Sequence, residues 1–315
     1  MPRRDETRLR IEADAGLRPL MFSIAYRMLA SVSEAEDVVQ EAFLRYQRAL
    51  AEDAEIESPK AYLSTVVTRL AIDQLRSARA RRETYVGEWL PEPLVTDDDD
   101  PAARTEEADS LSMAFLLLLE RLSPVERAVF LLHDVFGYGY DEVGGIVGKS
   151  EANCRQLALR ARRHIESEKP RFDASRQKRD ELAARFLAAV TEGEVDGLVE
   201  LLAGDVVVYG DGGGKAPQWA APIVGVERVA SLLAGLGRQL PEYGITVRPL
   251  RVNGQPGAAF LDAEGRLVNV WSLDIVDGVV QTVRSVINPD KLQHLGPVAD
   301  LRALLREGRQ EEPPA

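Results

Sequence analysis

The sequence predicts a multidomain protein, in which two all-α domains are followed by an α+β domain with a curved antiparallel sheet. Three observations support this prediction. The 315 residues suffice for two or three domains at roughly 150 residues each. Residues 86–110 hold three prolines, nine acidic side chains and one basic side chain, and they separate two segments with helical spacing of apolar residues. After Pro170, short β-branched runs alternate with glycine-containing turns.

The composition is that of a globular protein, with 45% hydrophobic and 29% charged residues. The single cysteine, Cys154, excludes an intramolecular disulfide, and three histidines are too few for a histidine-rich metal centre. No apolar run is long enough to cross a bilayer, and no signal peptide is visible. We therefore expect a cytoplasmic protein without cofactor, metal or membrane partner.

The net charge of −12 would ordinarily argue against nucleic acid as a partner. However, residues 86–110 alone carry a net charge of −8, whereas residues 1–85 and 111–170 are each neutral in sum. Basic faces can therefore exist on the two helical segments.

The strongest local pattern is a predicted helix-turn-helix at residues 140–164. Gly148 begins the turn, Ser150 is the expected N-cap of the second helix, and Cys154 is expected on its inward face. A recognition helix needs arginine and amide side chains that reach base edges and phosphates. A plain helical hairpin with a solvated basic face is the alternative. The outward side chains that favour DNA binding are Asn153, Arg155, Gln156, Leu159, Arg160, Arg162 and Arg163.

The first helical segment carries two further polar features. Residues 34–48 form an amphipathic helix whose polar strip, by itself, would be only a solvated face; it consists of Asp37, Gln40, Glu41 and Arg45. A basic stripe follows, without an aromatic anchor that would favour a membrane surface. Its polar residues are Arg69, Asp73, Gln74, Arg76, Arg79, Arg81 and Arg82.

These motifs, in this order over residues 10–168, resemble bacterial sigma factors of the extracytoplasmic-function (ECF) class. Residues 37–43 are similar to sigma region 2.2, residues 69–82 to regions 2.3 and 2.4, and residues 122–127 with the helix-turn-helix to region 4. The resemblance implies two partners, promoter DNA and RNA polymerase core, the latter contacted through its β′ clamp helices and β flap. It assigns the polar strip to core binding, the basic stripe to the −10 element and the recognition helix to the −35 element.

Three further strings resemble the ECF subgroup that carries a C-terminal SnoaL-like (NTF2-like) cone. In that subgroup the cone replaces a separate anti-sigma protein as regulator. The implied regulatory contacts are Trp89, Pro91 and Pro93 in the linker, Asp211, Gly212, Gly213, Gly214 and Lys215 in the cone, and Asn288, Pro289, Asp290, Lys291 and Leu292 after its last strand. The expected domains are sigma region 2 (1–85), an acidic proline-containing linker (86–110), sigma region 4 (111–170) and the SnoaL/NTF2-like regulatory domain (171–315).

An NTF2-like cone encloses a pocket, for which the expected lining residues are Tyr209, Trp219, Phe260 and Trp271, with Asp211 and Lys215 near the mouth. We expect no enzyme, because Asp211 has no visible acid/base partner. Whether the pocket holds a small molecule stays open at this point. Two alternatives also remain: a stand-alone helix-turn-helix regulator, and an NTF2-like enzyme with a DNA-binding arm.

Overall fold

The computed structural model describes residues 15–82, 84–96, 109–166, 175–219 and 221–310. The chain divides into two compact units. The first contains the described residues of Met1–Glu83 and Leu118–Lys169, and the second those of Thr84–Leu117 and Pro170–Ala315. The four consecutive aspartates at 97–100 lie outside the described residues.

The first half of the first unit consists of α1 (Arg18–Leu29), α2 (Val32–Ala51) and α3 (Pro59–Arg82). The Ser31 hydroxyl accepts a hydrogen bond from the Glu34 N–H at 3.2 Å, which satisfies one of the backbone donors at the start of α2. The core between the three helices is apolar and includes the fully buried Tyr26, Tyr46 and Leu63.

The second half follows α4 (Met113–Leu119) and comprises α5 (Pro124–Phe130), a π turn at Leu131–Val135, α6 (Tyr140–Val147) and α7 (Glu151–Glu166). Ser123 and Glu126 form a reciprocal capping box at the start of α5. Gly148 ends α6 in a left-handed conformation (φ 67°), which glycine adopts without steric cost.

Two buried polar contacts join the halves of this unit. Arg127 is 2% exposed, and its guanidinium donates to the Met28 carbonyl at 2.6 Å and to Glu120 at 2.8 Å. Burial lowers the pKa of Arg127 to about 9, so its charge persists at neutral pH. The hydroxyls of Ser64 and Tyr138 lie 2.7 Å apart in the same core.

The second unit combines α8 (Arg176–Glu192), α9 (Val195–Leu201), α10 (Val226–Gln239) and α11 (Leu301–Gln310) with one sheet. Its strands are β1 (Leu202–Asp211), β2 (Ile223–Val224), β3 (Thr246–Val252), β4 (Gln255–Leu261), β5 (Leu267–Val276) and β6 (Val279–Val286). Asp277-Gly278 forms the hairpin turn between β5 and β6, with positive φ at both residues.

The sheet is mixed, which corrects the prediction of an antiparallel sheet. The strand order is β2-β1-β6-β5-β4-β3, and β1 runs parallel to β6, whereas the other pairs are antiparallel. The error has a simple cause. Turn signals in the sequence identify hairpins, which join consecutive strands in antiparallel fashion. β1 and β6 are not consecutive, because the connection between them contains α10 and strands β2 to β5, and turn signals therefore do not reveal their parallel pairing.

The two faces of this sheet have different cores. One face packs against α8, α9 and α10 through a cluster that includes Phe186, Leu233 and Trp271. The other face carries a second cluster, in which the linker residue Leu90 and Met113 of α4 pack against Val270. The part of the linker around Leu90 is therefore packed on the sheet.

Within the described residues, no helix is long and apolar enough to cross a membrane. In the same part of the chain, no group of three or more histidine, cysteine, aspartate or glutamate side chains has the arrangement of a metal site.

Candidate nucleic-acid interface and linker-docking site

The recognition helix α7 exposes the side chains that the sequence assigned to DNA. Ser150 caps it, accepting from the Asn153 N–H at 3.3 Å, while Cys154, Ala158 and Ala161 are fully buried. Leu159 is 48% exposed. The other exposed members of the predicted set are Asn153, Arg155, Gln156, Arg160 and Arg163.

Two arginines of α7 have partners within the unit. Arg155 pairs with Glu151 one turn earlier, and its guanidinium lies 5.1 Å from the ring centre of Tyr140. Arg162 is half-buried, and its Nε lies 2.6 Å from Asp134. The Asp134 carboxylate raises the pKa of Arg162, chiefly through this hydrogen bond. Arg162 is therefore anchored to its own domain, whereas the exposed pair of Arg155 with Glu151 contributes little to stability.

The basic stripe on α3 is engaged at its first residue. The Arg69 guanidinium donates to the Ile146 carbonyl at 2.9 Å and to the Gly145 carbonyl at 3.1 Å. Both carbonyls belong to the last turn of α6, where backbone acceptors lack helical partners. Asp73 pairs with Arg76 at 3.0 Å and not with Arg69. The side chains of Arg79, Arg81 and Arg82 lie outside the described part of the chain.

The polar strip of α2 is accessible. Asp37, Gln40 and Arg45 are exposed and Glu41 is half-exposed, and Arg45 pairs with Glu41 at 2.7 Å. The opposite side of the helix is buried through Val38, Val39 and Ala42, among others.

The three strings assigned to regulation meet at one buried carboxylate in the second unit. Asp211, at the end of β1, is fully buried and pairs with Lys291 at 2.7 Å. One carboxylate oxygen accepts from the Leu90 N–H of the linker at 2.9 Å, and the other accepts from the Tyr85 hydroxyl. Asp211 thus has partners in the linker and after the last strand, which corrects the expectation that it lacks one.

Lys291 completes this site. Its ammonium donates to the Leu90 carbonyl and lies 4.4 Å and 4.9 Å from the ring centres of Trp89 and Tyr85. Cation–π contacts strengthen when the cation is desolvated, as it is here. Burial, followed by the hydrogen bond to Asp211, raises the pKa of Tyr85 far above its usual value. The phenol therefore stays protonated and donates to the carboxylate.

Two glycines let the linker approach this site. A side-chain carbon at Gly213 (φ 57°) would lie 2.2 Å from the Asn288 amide nitrogen and 3.0 Å from the Tyr85 hydroxyl. At Gly214 (φ 70°) it would lie 3.2 Å from Val86. Both positions need glycine for conformation as well as for space. Next to them, Lys215 pairs with Asp290 at the surface.

The linker continues along the edge of the sheet. Val95 bridges to Val252 of β3, and Leu94 exchanges hydrogen bonds with Asn253 at 2.7 Å and 3.0 Å. His294 contacts the Pro93 carbonyl at 2.8 Å. Tyr85, Asn253 and His294 were not identified from the sequence as contacts of this site. The only local signal was Asn253-Gly254, a turn dipeptide that indicates the β3–β4 hairpin.

The cone contains a cavity lined by three of the four aromatic residues that were expected there, namely Trp219, Phe260 and Trp271. Tyr209 was wrongly assigned, because its side chain belongs to the opposite face of the sheet, beside Leu90 and Met113. Asp211 and Lys215 are not among the lining residues either.

Comparisons with known protein families match three separate parts of the chain. Residues 15–81 match the Sigma-70 region 2 model, residues 112–165 the Sigma-70 region 4 model and residues 183–287 the SnoaL-like domain model. The ECF RNA polymerase sigma factor SigJ of Mycobacterium tuberculosis is 38% identical over 87% of this chain and 90% of its own length. SigI of the same species is 32% identical over 88% of this chain and 93% of its own.

The crystal structure of M. tuberculosis SigJ is similar to this chain with a TM-score of 0.71 and 36% identity, over 91% of this chain and 99% of that one. The likeness thus extends over both helical regions and the cone. The chain belongs to the family of extracytoplasmic-function RNA polymerase sigma factors, as a member in which sigma regions 2 and 4 are followed by a SnoaL-like domain.

Proposed function

We propose that this sigma factor binds the β′ clamp helices of RNA polymerase core through the polar strip of α2, and the β flap through its region 4. The exposure of Asp37, Gln40 and Arg45 supports the first contact. The functional segments are sigma region 2 (1–85), the linker (86–110), sigma region 4 (111–170) and the SnoaL-like regulatory domain (171–315). The protein acts in the cytoplasm, where the polymerase works.

The promoter is recognised by two helices. On α7, Arg155 and Arg160 suit guanine, Gln156 suits adenine and Leu159 suits a thymine methyl group, while Asn153, Arg162 and Arg163 hold phosphates. On α3, the −10 element is read by Arg69, Asp73, Gln74 and Arg76, and its backbone is held by Arg79, Arg81 and Arg82. The exposed, arginine-rich surface of α7 supports the first assignment.

The SnoaL-like domain regulates this activity by holding the linker between the two sigma regions. The observation that carries this proposal is the buried Asp211, which bonds Tyr85, directly before the linker, and Leu90 of the linker, and pairs with Lys291. A linker fixed on the sheet restricts the separation that regions 2 and 4 can adopt, and promoter binding needs a particular separation.

The cone acts by binding and not by catalysis. Among the described residues that line its cavity, the only titratable side chain is that of Tyr243, and general acid–base catalysis needs a placed group with a tuned pKa.

Run-off transcription with purified core polymerase and a promoter library tests the regulatory proposal. Asp211→Asn removes the charge that orders Lys291 and the linker, so we expect a changed transcript yield from the cognate promoter. Asp205→Asn is the matched control, because Asp205 is exposed on the same strand. Equal yields from the wild-type protein and Asp211→Asn would refute regulation through this contact.

Co-purification with core polymerase tests the sigma-factor assignment against a stand-alone regulator. A sigma factor associates with core in the absence of DNA. Sequence-specific promoter binding by the isolated chain at physiological salt, with no association with core, would favour the alternative.

A further inference from the structure

The SnoaL-like domain contains a cavity of about 370 Å³ that no step of the proposed function uses. It lies between the helix-covered face of the sheet, the end of α10 and the C-terminal helix α11, with walls that include Trp219, Leu236, Leu301 and Leu305. Its volume falls in the range of about 300–1,000 Å³ typical of small-molecule sites. It is also more than twice the roughly 150 Å³ that accommodates benzene.

The lining indicates an uncharged ligand. No described lining residue carries a charged side chain, and the walls are mainly aliphatic and aromatic. Phe260 and Trp271 lie with ring centres 4.5 Å apart and a tilt of 53°, so they offer flat apolar surface to a ring. A charged ligand would lose its hydration here without gaining an ion-pair partner.

The polar side chains of the lining are those of Gln218, Gln239, Tyr243, Asn269 and Ser285, and the last two form a corner on neighbouring strands of the sheet. The Asn269 amide and the Ser285 hydroxyl hydrogen-bond to each other at 3.0–3.1 Å, and both line the cavity. A single hydroxyl cannot saturate an amide, which has two N–H donors and an acceptor oxygen. Trp271 is paired across the sheet with Ser285, and its buried indole N–H has no acceptor in the described part of the chain.

We propose that this cavity binds a neutral, ring-containing small molecule of about bicyclic size, with one carbonyl or hydroxyl group that hydrogen-bonds at the Asn269–Ser285 corner. The rings pack between Trp219, Phe260 and the leucines of α10 and α11. The ligand is identified by this chemistry alone: apolar body, no charge, one polar group.

Three naphthalene derivatives of similar size test the proposal by calorimetry on the full-length protein. 2-Acetylnaphthalene carries the carbonyl, 2-ethylnaphthalene replaces it with carbon, and 2-naphthoate carries a charge at neutral pH. We expect saturable binding of the ketone, about tenfold weaker binding of the ethyl compound, and no binding of the carboxylate. Tight binding of 2-naphthoate, or no binding of the ketone, would overturn the proposal.

Two variants localise the site. Leu236→Trp fills the cavity and should abolish ketone binding, whereas Ser231→Trp on the exposed side of the same helix should leave it unchanged. Asn269→Leu should remove the preference for the ketone over the ethyl compound. Ketone binding that survives Leu236→Trp would refute the assigned site. Polymerase is absent from this assay. A negative result therefore contradicts the proposed ligand site alone and leaves the proposed sigma-factor function untouched.

Discussion

Lys291 and Asp211 together satisfy both backbone polar groups of one linker residue. The Asp211 carboxylate accepts from the Leu90 N–H, and the Lys291 ammonium donates to the Leu90 carbonyl. The two side chains are 2.7 Å apart and at most 8% exposed. A buried ion pair thus takes the place of a neighbouring strand, and linker docking depends on both charges.

Replacing Lys291 with methionine should destabilise the second unit by about 3–5 kcal/mol, because the variant leaves the Asp211 carboxylate buried without its counterion. Urea unfolding followed by tryptophan fluorescence, to which Trp89 contributes with its ring centre 4.4 Å from the ammonium, measures this cost. Lys215→Met is the matched control: its pair with Asp290 is more than half exposed and should contribute less than about 1 kcal/mol. Equal effects of the two variants would contradict the prediction.

Tyr85→Phe should lose more stability at neutral pH than at alkaline pH. The folded-state pKa of Tyr85 is raised, mainly by burial and the Asp211 hydrogen bond. Above about pH 10 the phenol ionises only in the unfolded chain, so the stability contributed by the phenol declines as pH rises. Unfolding free energies at pH 7 to 11 check this. An advantage of the wild-type protein that grows above pH 10 would contradict it.

Gly213→Ala should weaken linker docking. The added methyl group meets Asn288 and Tyr85 at 2.2 Å and 3.0 Å, on a backbone with positive φ, so a cost of about 2–4 kcal/mol is expected. Limited proteolysis within residues 84–96 should become faster. Gly204→Ala, in β1, has no atom within 4 Å of the added carbon and should leave proteolysis unchanged. If both variants are cut at the wild-type rate, the glycine loop does not hold the linker.

Local patterns predicted much of this molecule. Gly148, Ser150 and the inward Cys154, which identify the helix-turn-helix, lie within seven consecutive residues, and periodicity together with turn signals is enough to find such a local motif. The partners of Asp211 lie 80, 121 and 126 positions away, and no pattern within a single sequence links positions so far apart. Tyr209 was assigned to the wrong face of the sheet for a different reason. Neighbouring residues of a strand alternate between the two faces, so an error of one position in the alternation places a side chain on the opposite face.

Arg69→Ala should loosen the contact between α3 and α6 in the isolated protein. The guanidinium supplies two donors to carbonyls at the end of α6, where a positive charge also stabilises the helix dipole. Hydrogen exchange at residues 140–147 should therefore accelerate. Arg76→Ala removes only an exposed pair with Asp73 and should leave this exchange unchanged. If residues 140–147 exchange as slowly in Arg69→Ala as in the wild-type protein, the Arg69 contact does not stabilise α6.

Arg155→Ala should relax sequence discrimination at one position of the −35 element. In the free protein Arg155 is exposed and pairs only with surface groups of its own unit, Glu151 and the Tyr140 ring, among the described residues, so its donors can turn to a guanine. Loss of such a bidentate contact costs about 1–3 kcal/mol at that base pair alone. Holoenzyme binding to single-base promoter variants measures this cost, with Arg163→Ala as the phosphate-contact control. If Arg155→Ala weakens binding equally for all promoter variants, Arg155 contacts phosphate and Gln156 or Arg160 must supply the discrimination.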